Sequence, residues 1–338
     1  MESISPLKNN IANAAHTCSE KREWRELGGQ TPAAAGAESQ SKGYMRAWGH
    51  KRTSIIRGIV MLAVFLSGWV GYAGLPQALA AVSETTTSTS SAKKLVVSKS
   101  LQDEVLPPQG VKIPAKWGNL GRELVVSGAI DPAKFRQYYA ESGGLTAEES
   151  NLLMGKNNRD IVMTLQNSDV LLNLLWALGL ANKNVILEKG PMMYPGNGGV
   201  QNFASTADWD LSRGNVMNYY SRFNFISLTP SQQALLKKVS LEIYRPCCDN
   251  STYFPDCNHG MALFGLLELM ASQGATENQL YSAALSVNSY WFPENYLTLA
   301  VYFKKAGKDW KNIDAKEVLG KRYSSGLGNL TISKSLED

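Results

Sequence analysis

The sequence predicts a mainly α-helical fold, an irregular multi-helix bundle with one long Gly/Pro-rich loop. Three observations predict it. A threonine is followed three residues later by an acid or amide at Thr146 and Glu149, at Thr229 and Gln232, and at Thr276 and Gln279. Each pair suits a capping box, in which the hydroxyl covers an orphan amide and the longer side chain reaches back. Each is followed by apolar residues at helical spacing. Other segments open on proline and close on glycine, the asymmetry that marks helix ends. There is no run of alternating strands and no internal repeat.

Taken in order, the 338-residue chain does not begin with core. Residues 1–44 are polar and rich in Ala, Gly and Ser, and Met45 offers a second start. They are read as a misassigned start or a disordered cytoplasmic extension. Residues 45–80 have the order of a secretory signal: basic and acid-free at 46–57, apolar over 58–75, then Pro76 and Ala78-Leu79-Ala80. The apolar stretch is also long enough, with Trp69 and Tyr72 near its far end, for an uncleaved membrane anchor. Both readings leave Lys51, Arg52 and Arg57 in the cytoplasm and export the chain beyond Ala80. The protein is therefore expected outside the cytoplasm, secreted or anchored. Residues 81–100 contain a Ser/Thr tract that reads as a linker. Residues 101–338 are left as a single helical domain of about 240 residues, enough for one sizeable core.

Within that domain, Asp131-Pro132 opens a helix that Gly143-Gly144 closes. The three threonine boxes start helices over 147–154, 230–244 and 277–291. Ser168 or Asp169 caps a helix through VLLNLLWALGLAN, apolar nearly all round and hence central. PENYLTLAVYFKKAG is a further helix. Residues 189–215 combine Pro, Gly, Asn and aromatics over a length unusual for a connection. They read as a surface loop packed on its own aromatics, or as a lid offering Met192, Met193 and Tyr194.

Composition excludes several function classes. Charged residues make up 19% of the chain and its formal net charge is +5, with no basic stripe interleaved with aromatics, so nucleic acid is not an expected partner. No Gly-rich phosphate loop, Ser-His-Asp set or paired-carboxylate motif emerges, which disfavours nucleotide and hydrolase chemistry.

Chemistry concentrates at residues 245–260, RPCCDNSTYFPDCNHG, where Cys247, Cys248, Cys257 and His259 form the pattern C-C-x8-C-x-H-G. Three thiolates and an imidazole make a tetrahedral set for zinc, and they suit copper(I) or an iron–sulfur centre. Arg245 would offset the thiolate charge. An exported protein also meets oxidant, where a disulfide from Cys247 or Cys248 to Cys257 would leave one thiol over. The adjacent pair does not bridge, because neighbouring Cα atoms are about 3.8 Å apart, short of the usual disulfide range.

If the chain is an enzyme, Cys257 is its reactive group, placed in the first turn of a helix that starts at Asp256 and lowers its pKa. His259 is a poor base for it, since residues two apart on a helix do not face each other. Cys257, Met261, Phe264 and Glu268 share one face, and His259, Leu263, Leu266 and Met270 another. All four ligands converge only if that first turn is distorted. Glu268 reads as an exposed position or as a partly buried acid, with Arg245 the base to pair it.

CCDNSTYFPDCNHGMALFGLLELMA, LLWALGLANKN and SVNSYWFPENY together resemble an uncharacterised group of exported bacterial and archaeal proteins. The likeness runs from about residue 117 to residue 323 and implies no reaction, cofactor or partner. The order Cys, Thr252, Pro255, Cys257, His259 is also similar to the Cys3His iron–sulfur motif of CDGSH-type proteins, but here two cysteines are adjacent and Cys257 is two residues from His259. The expected function is binding of a transition metal, copper or zinc, through Cys247, Cys248, Cys257 and His259. Nearby methionines and the extracytoplasmic address favour copper; tolerance of Cys3His favours zinc. The alternatives are thiol–disulfide exchange and an interaction module that a disulfide staples. The membrane is a partner if the leader is uncleaved.

Overall fold

The computed structural model describes residues 97–337. The expected extension, the leader and most of the linker lie outside the described residues. Within them the chain forms fourteen α-helices, short 3-10 turns and one two-stranded sheet. No described helix is long and apolar enough to cross a membrane.

Ser98 caps the first described helix, α1 (Lys99–Val105), with its side chain. The sequence suggests no strand, yet β1 (Val111–Gly118) pairs antiparallel with β2 (Asn157–Met163), Val111 facing Met163 and Ile113 facing Ile161. The signal was present: Ile113, Ala115 and Trp117 are buried and the residues between them are exposed. Pro114 masks it, because a residue without an amide proton argues against a strand, and the register shifts after Ile113 accordingly. Three helices separate the strands: α2 (Leu120–Ser127), α3 (Pro132–Ala140) and α4 (Ala147–Met154). Asp131 caps α3 as expected, accepting bonds from Ala133 N and Lys134 N. Thr146 and Glu149 form the capping box of α4.

The centre is α5 (Ser168–Ala181), buried continuously from Val170 to Ala181. Its N-cap is Asn167 rather than Ser168 or Asp169. The Asn167 side chain is engaged outside the helix, accepting from Thr164 N at 2.8 Å and donating to the Val162 carbonyl at 2.8 Å. A short α6 (Val185–Lys189) leads into the Gly/Pro-rich region. That region is built from 3-10 turns and α7 (Ala204–Ala207), and it drives Met192, Phe203, Trp209 and Leu211 into the core. Trp209 meets Trp176 of α5 with ring centroids 4.9 Å apart. Met193 and Tyr194 stay exposed. The packing is that of an anchored loop.

Two more Thr boxes open α8 (Pro230–Glu242) and α10 (Glu277–Trp291). Between them α9 (Asn258–Ser272) is buried from His259 to Ala271 and lies along α5. Glycines set that approach. A Cβ at Gly179 would stand 2.2 Å from the Met261 carbonyl oxygen, and one at Gly265 would stand 2.5 Å from the Leu175 oxygen. Backbone meets backbone, so no side chain can swing aside. Gly179→Ala is expected to lower the chemical-denaturation midpoint, the overpacking cost of about 1–3 kcal/mol outweighing the roughly 1 kcal/mol that alanine gains in helix propensity. An unchanged midpoint would show that the two helices separate freely.

The chain then closes through α11 (Pro293–Lys305), α12 (Ala315–Leu319), α13 (Lys321–Ser324) and α14 (Gly326–Ser335).

Candidate metal centre

The loop 243–257 joins α8 to α9 and is tied down at both ends. Thr252 donates to the Ile243 carbonyl from its amide (2.8 Å) and its hydroxyl (3.0 Å), and Tyr253 N donates to Ser240 O at 2.8 Å. Tyr244 N reaches Leu319 O at 2.8 Å, and Gly326 N reaches Cys248 O at 2.9 Å. Asp256 O accepts from Ser205 N at 3.0 Å, and Phe254 meets Phe203 edge to face, so the Gly/Pro-rich region walls one side. The cysteines therefore sit on a loop held by several elements.

The hub of this loop is Arg245, whose side chain is fully buried. Its Nε points at Cys257 Sγ (3.3 Å), Nη1 donates to Asn250 O (3.0 Å), and Nη2 donates to Phe254 O (3.3 Å) and Asp256 Oδ1 (2.9 Å). Asn250 Nδ2 binds the other Asp256 oxygen at 2.8 Å. The planar guanidinium thus serves as the template on which residues 250–257 fold. The glycine of the motif is explained by it: a Cβ on Gly260 would stand 2.6 Å from Arg245 Nη2.

Cys257 is the N-cap of α9, one position outside the first turn where it was expected. Its sulfur accepts from Gly260 N at 3.3 Å, replacing the oxygen of an ordinary cap. Cys247 Sγ lies 3.5 Å from Cys257 Sγ. The sulfurs of Cys247, Cys248 and Cys257 all lie within 4.8 Å of one another, and all three residues are buried free cysteines. Burial raises any thiol, yet hydrogen bonds from Cys247 and Cys248, with the Arg245 charge, hold Cys257 well below the usual thiol range. Burial, with the bond shared with Cys257, pushes Cys247 well up against an opposing bond to Cys248. The cluster is thus built to carry a negative charge on Cys257 beside a permanent cation.

His259 is not among the residues whose ligand atoms lie mutually within 4.8 Å; among the described residues, that group is the three cysteines alone. The imidazole is packed instead on Phe292 (centroids 4.4 Å apart) and Trp291 (5.8 Å). Its Nδ1 is buried and makes no hydrogen bond in the protein. Burial brings its pKa down to about 4, against the opposing Cys257 charge.

Glu268 is also placed differently from the expectation. It is fully buried and does not meet Arg245; Asn182 Nδ2 (3.2 Å) and Asn184 Nδ2 (2.7 Å) both donate to its Oε1. Burial lifts its pKa to about 8, the two amides lowering it only in part. Neutral pH therefore leaves it mostly a protonated acid.

Sequence reasoning finds Arg245 and the three cysteines, but misses Asp256, Asn250 and Phe292 as parts of the centre. Asp256 reads in the sequence only as a helix start. Phe292 packs on the cysteines from thirty-five positions beyond Cys257, where no local pattern could flag it.

Fold and site together define a mainly helical scaffold that encloses a buried cluster of three thiols beside a buried arginine. Comparison of the chain with protein-family models, with curated proteins and with solved structures finds no match.

Proposed function

We propose that this protein binds a soft transition-metal ion, copper or zinc, through Cys247, Cys248 and Cys257. The observation that carries the reading is the mutual approach of three buried sulfurs within 4.8 Å. A tetrahedral or trigonal ion with metal–sulfur bonds of about 2.3 Å needs sulfurs about 4 Å apart, so small side-chain rotations fit the cluster to an ion. Arg245 supports the reading, because thiolates are the ligating form and a fixed cation stabilises them. The leader expected over residues 45–80 would deliver this centre outside the cytoplasm, as a secreted or membrane-anchored binder.

The test is metal analysis with thiol counting on protein purified without a polyhistidine tag, under oxygen-free conditions and with no added reductant. Stoichiometric metal is expected, falling at least about tenfold in Cys257→Ser. Metal-free protein with one disulfide and one accessible thiol would overturn the reading.

That last outcome belongs to a second reading, thiol–disulfide exchange, which the 3.5 Å separation of Cys247 and Cys257 sulfurs favours. The Cys257 thiolate would attack a partner disulfide, form a mixed disulfide and release one partner thiolate. Cys247 sulfur would then attack Cys257 sulfur and release the second, its proton passing to a released thiolate. The two electrons go to the partner, which leaves as a dithiol.

A further inference from the structure

Cys247, Cys248 and Cys257 are 8%, 4% and 3% exposed, so solvent has little access to an ion between their sulfurs. A closed zinc site takes four protein ligands, and an open one keeps a water in the fourth position. The cluster provides neither arrangement. His259 lies outside the group of mutually close sulfurs, its ring tilted against Phe292 and edge-on to Trp291. Both Asp256 oxygens are engaged, one by Arg245 at 2.9 Å and one by Asn250 at 2.8 Å. Phe292 packs on the cysteines with hydrocarbon.

The charge environment points the same way. The Arg245 guanidinium donates to Cys257 Sγ at 3.3 Å and is fully buried. Its repulsion of an ion held at the sulfurs scales with that ion's charge, so a dication is penalised twice as heavily as a monocation. Copper(I) is the soft, thiolate-preferring monovalent ion, and it is satisfied by three sulfurs without a fourth donor.

We infer that the centre is selective for copper(I), held as a three-coordinate ion by the sulfurs of Cys247, Cys248 and Cys257, with Arg245 biasing it toward monovalent charge. This inference rests on the metal-binding reading above.

The full chain, reduced and kept free of oxygen, is offered equimolar copper(I) and zinc(II), desalted, and read by metal analysis and copper-edge X-ray absorption. The expected result is one copper per chain, zinc below about a tenth of that, and a shell of three sulfurs with no nitrogen or oxygen donor. His259→Gln is expected to hold copper within about threefold of the parent, far less than the loss expected for removing a ligand. Preferential retention of zinc, or a nitrogen or oxygen donor in the ion's shell, overturns the inference and leaves the metal reading standing. Retention of neither metal by the folded, reduced chain overturns both.

Discussion

Arg245→Met is expected to lower folding stability by about 3–5 kcal/mol, the usual cost of removing one member of a buried ion pair while the other stays behind. Methionine matches the stem but none of the four bonds to Cys257, Asn250, Phe254 and Asp256. Asp256 would keep its charge at 13% side-chain exposure without its cation. Arg245→Lys is expected to recover only part of the loss, because one ammonium cannot present the planar fork that meets acceptors on several sides. Chemical denaturation of both variants checks this, and a loss below about 1 kcal/mol in Arg245→Met would refute the hub role. The same variant should weaken metal binding by about 10–100-fold, as loss of a group that orients a ligand generally does.

Glu268→Gln is expected to change how stability depends on pH. The folded-state pKa of Glu268 is raised from 4.5 to about 8 by burial. Between those values the folded protein holds on Glu268 a proton that the unfolded chain has released, so the stability this group contributes falls as pH rises. The contribution is fully present below pH 4.5 and is lost progressively up to about pH 8. Each pH unit inside the window costs about 1.4 kcal/mol. Glutamine keeps the shape and can still accept from Asn182 and Asn184, and it carries no titrating proton. The Cys257 thiolate adds an opposing, rising slope to parent and variant alike, so between about pH 6.5 and about pH 8 the denaturant midpoint of Glu268→Gln should climb relative to that of the parent. Parallel pH profiles would show that Glu268 is already ionised in the fold.

Much of the fold was legible because helix ends are written locally. A threonine and an acid or amide three residues apart are enough to specify a capping box, and all three expected boxes are present. The near-continuous apolar run of α5 likewise announced a central helix, buried from Val170 onward. β1 was missed because a strand is stabilised by a partner, and β2 lies beyond three intervening helices. Pairing overruled the local signal of Pro114.

The site divides in the same way. Sequence by itself determined that three cysteines and an arginine lie on one short stretch before a helix. It also showed that His259 leaves that helix in a different direction from Cys257, since helical geometry makes neighbours of residues three or four apart. Tertiary structure decided which groups meet. It turned Arg245 toward Asp256 and Cys257, gave Glu268 to Asn182 and Asn184, and set Phe292 against the cysteines. These choices depend on the desolvation of charges by elements distant in sequence: a buried cation takes the anions that the fold brings to it, and a buried acid with only amides in reach keeps its proton.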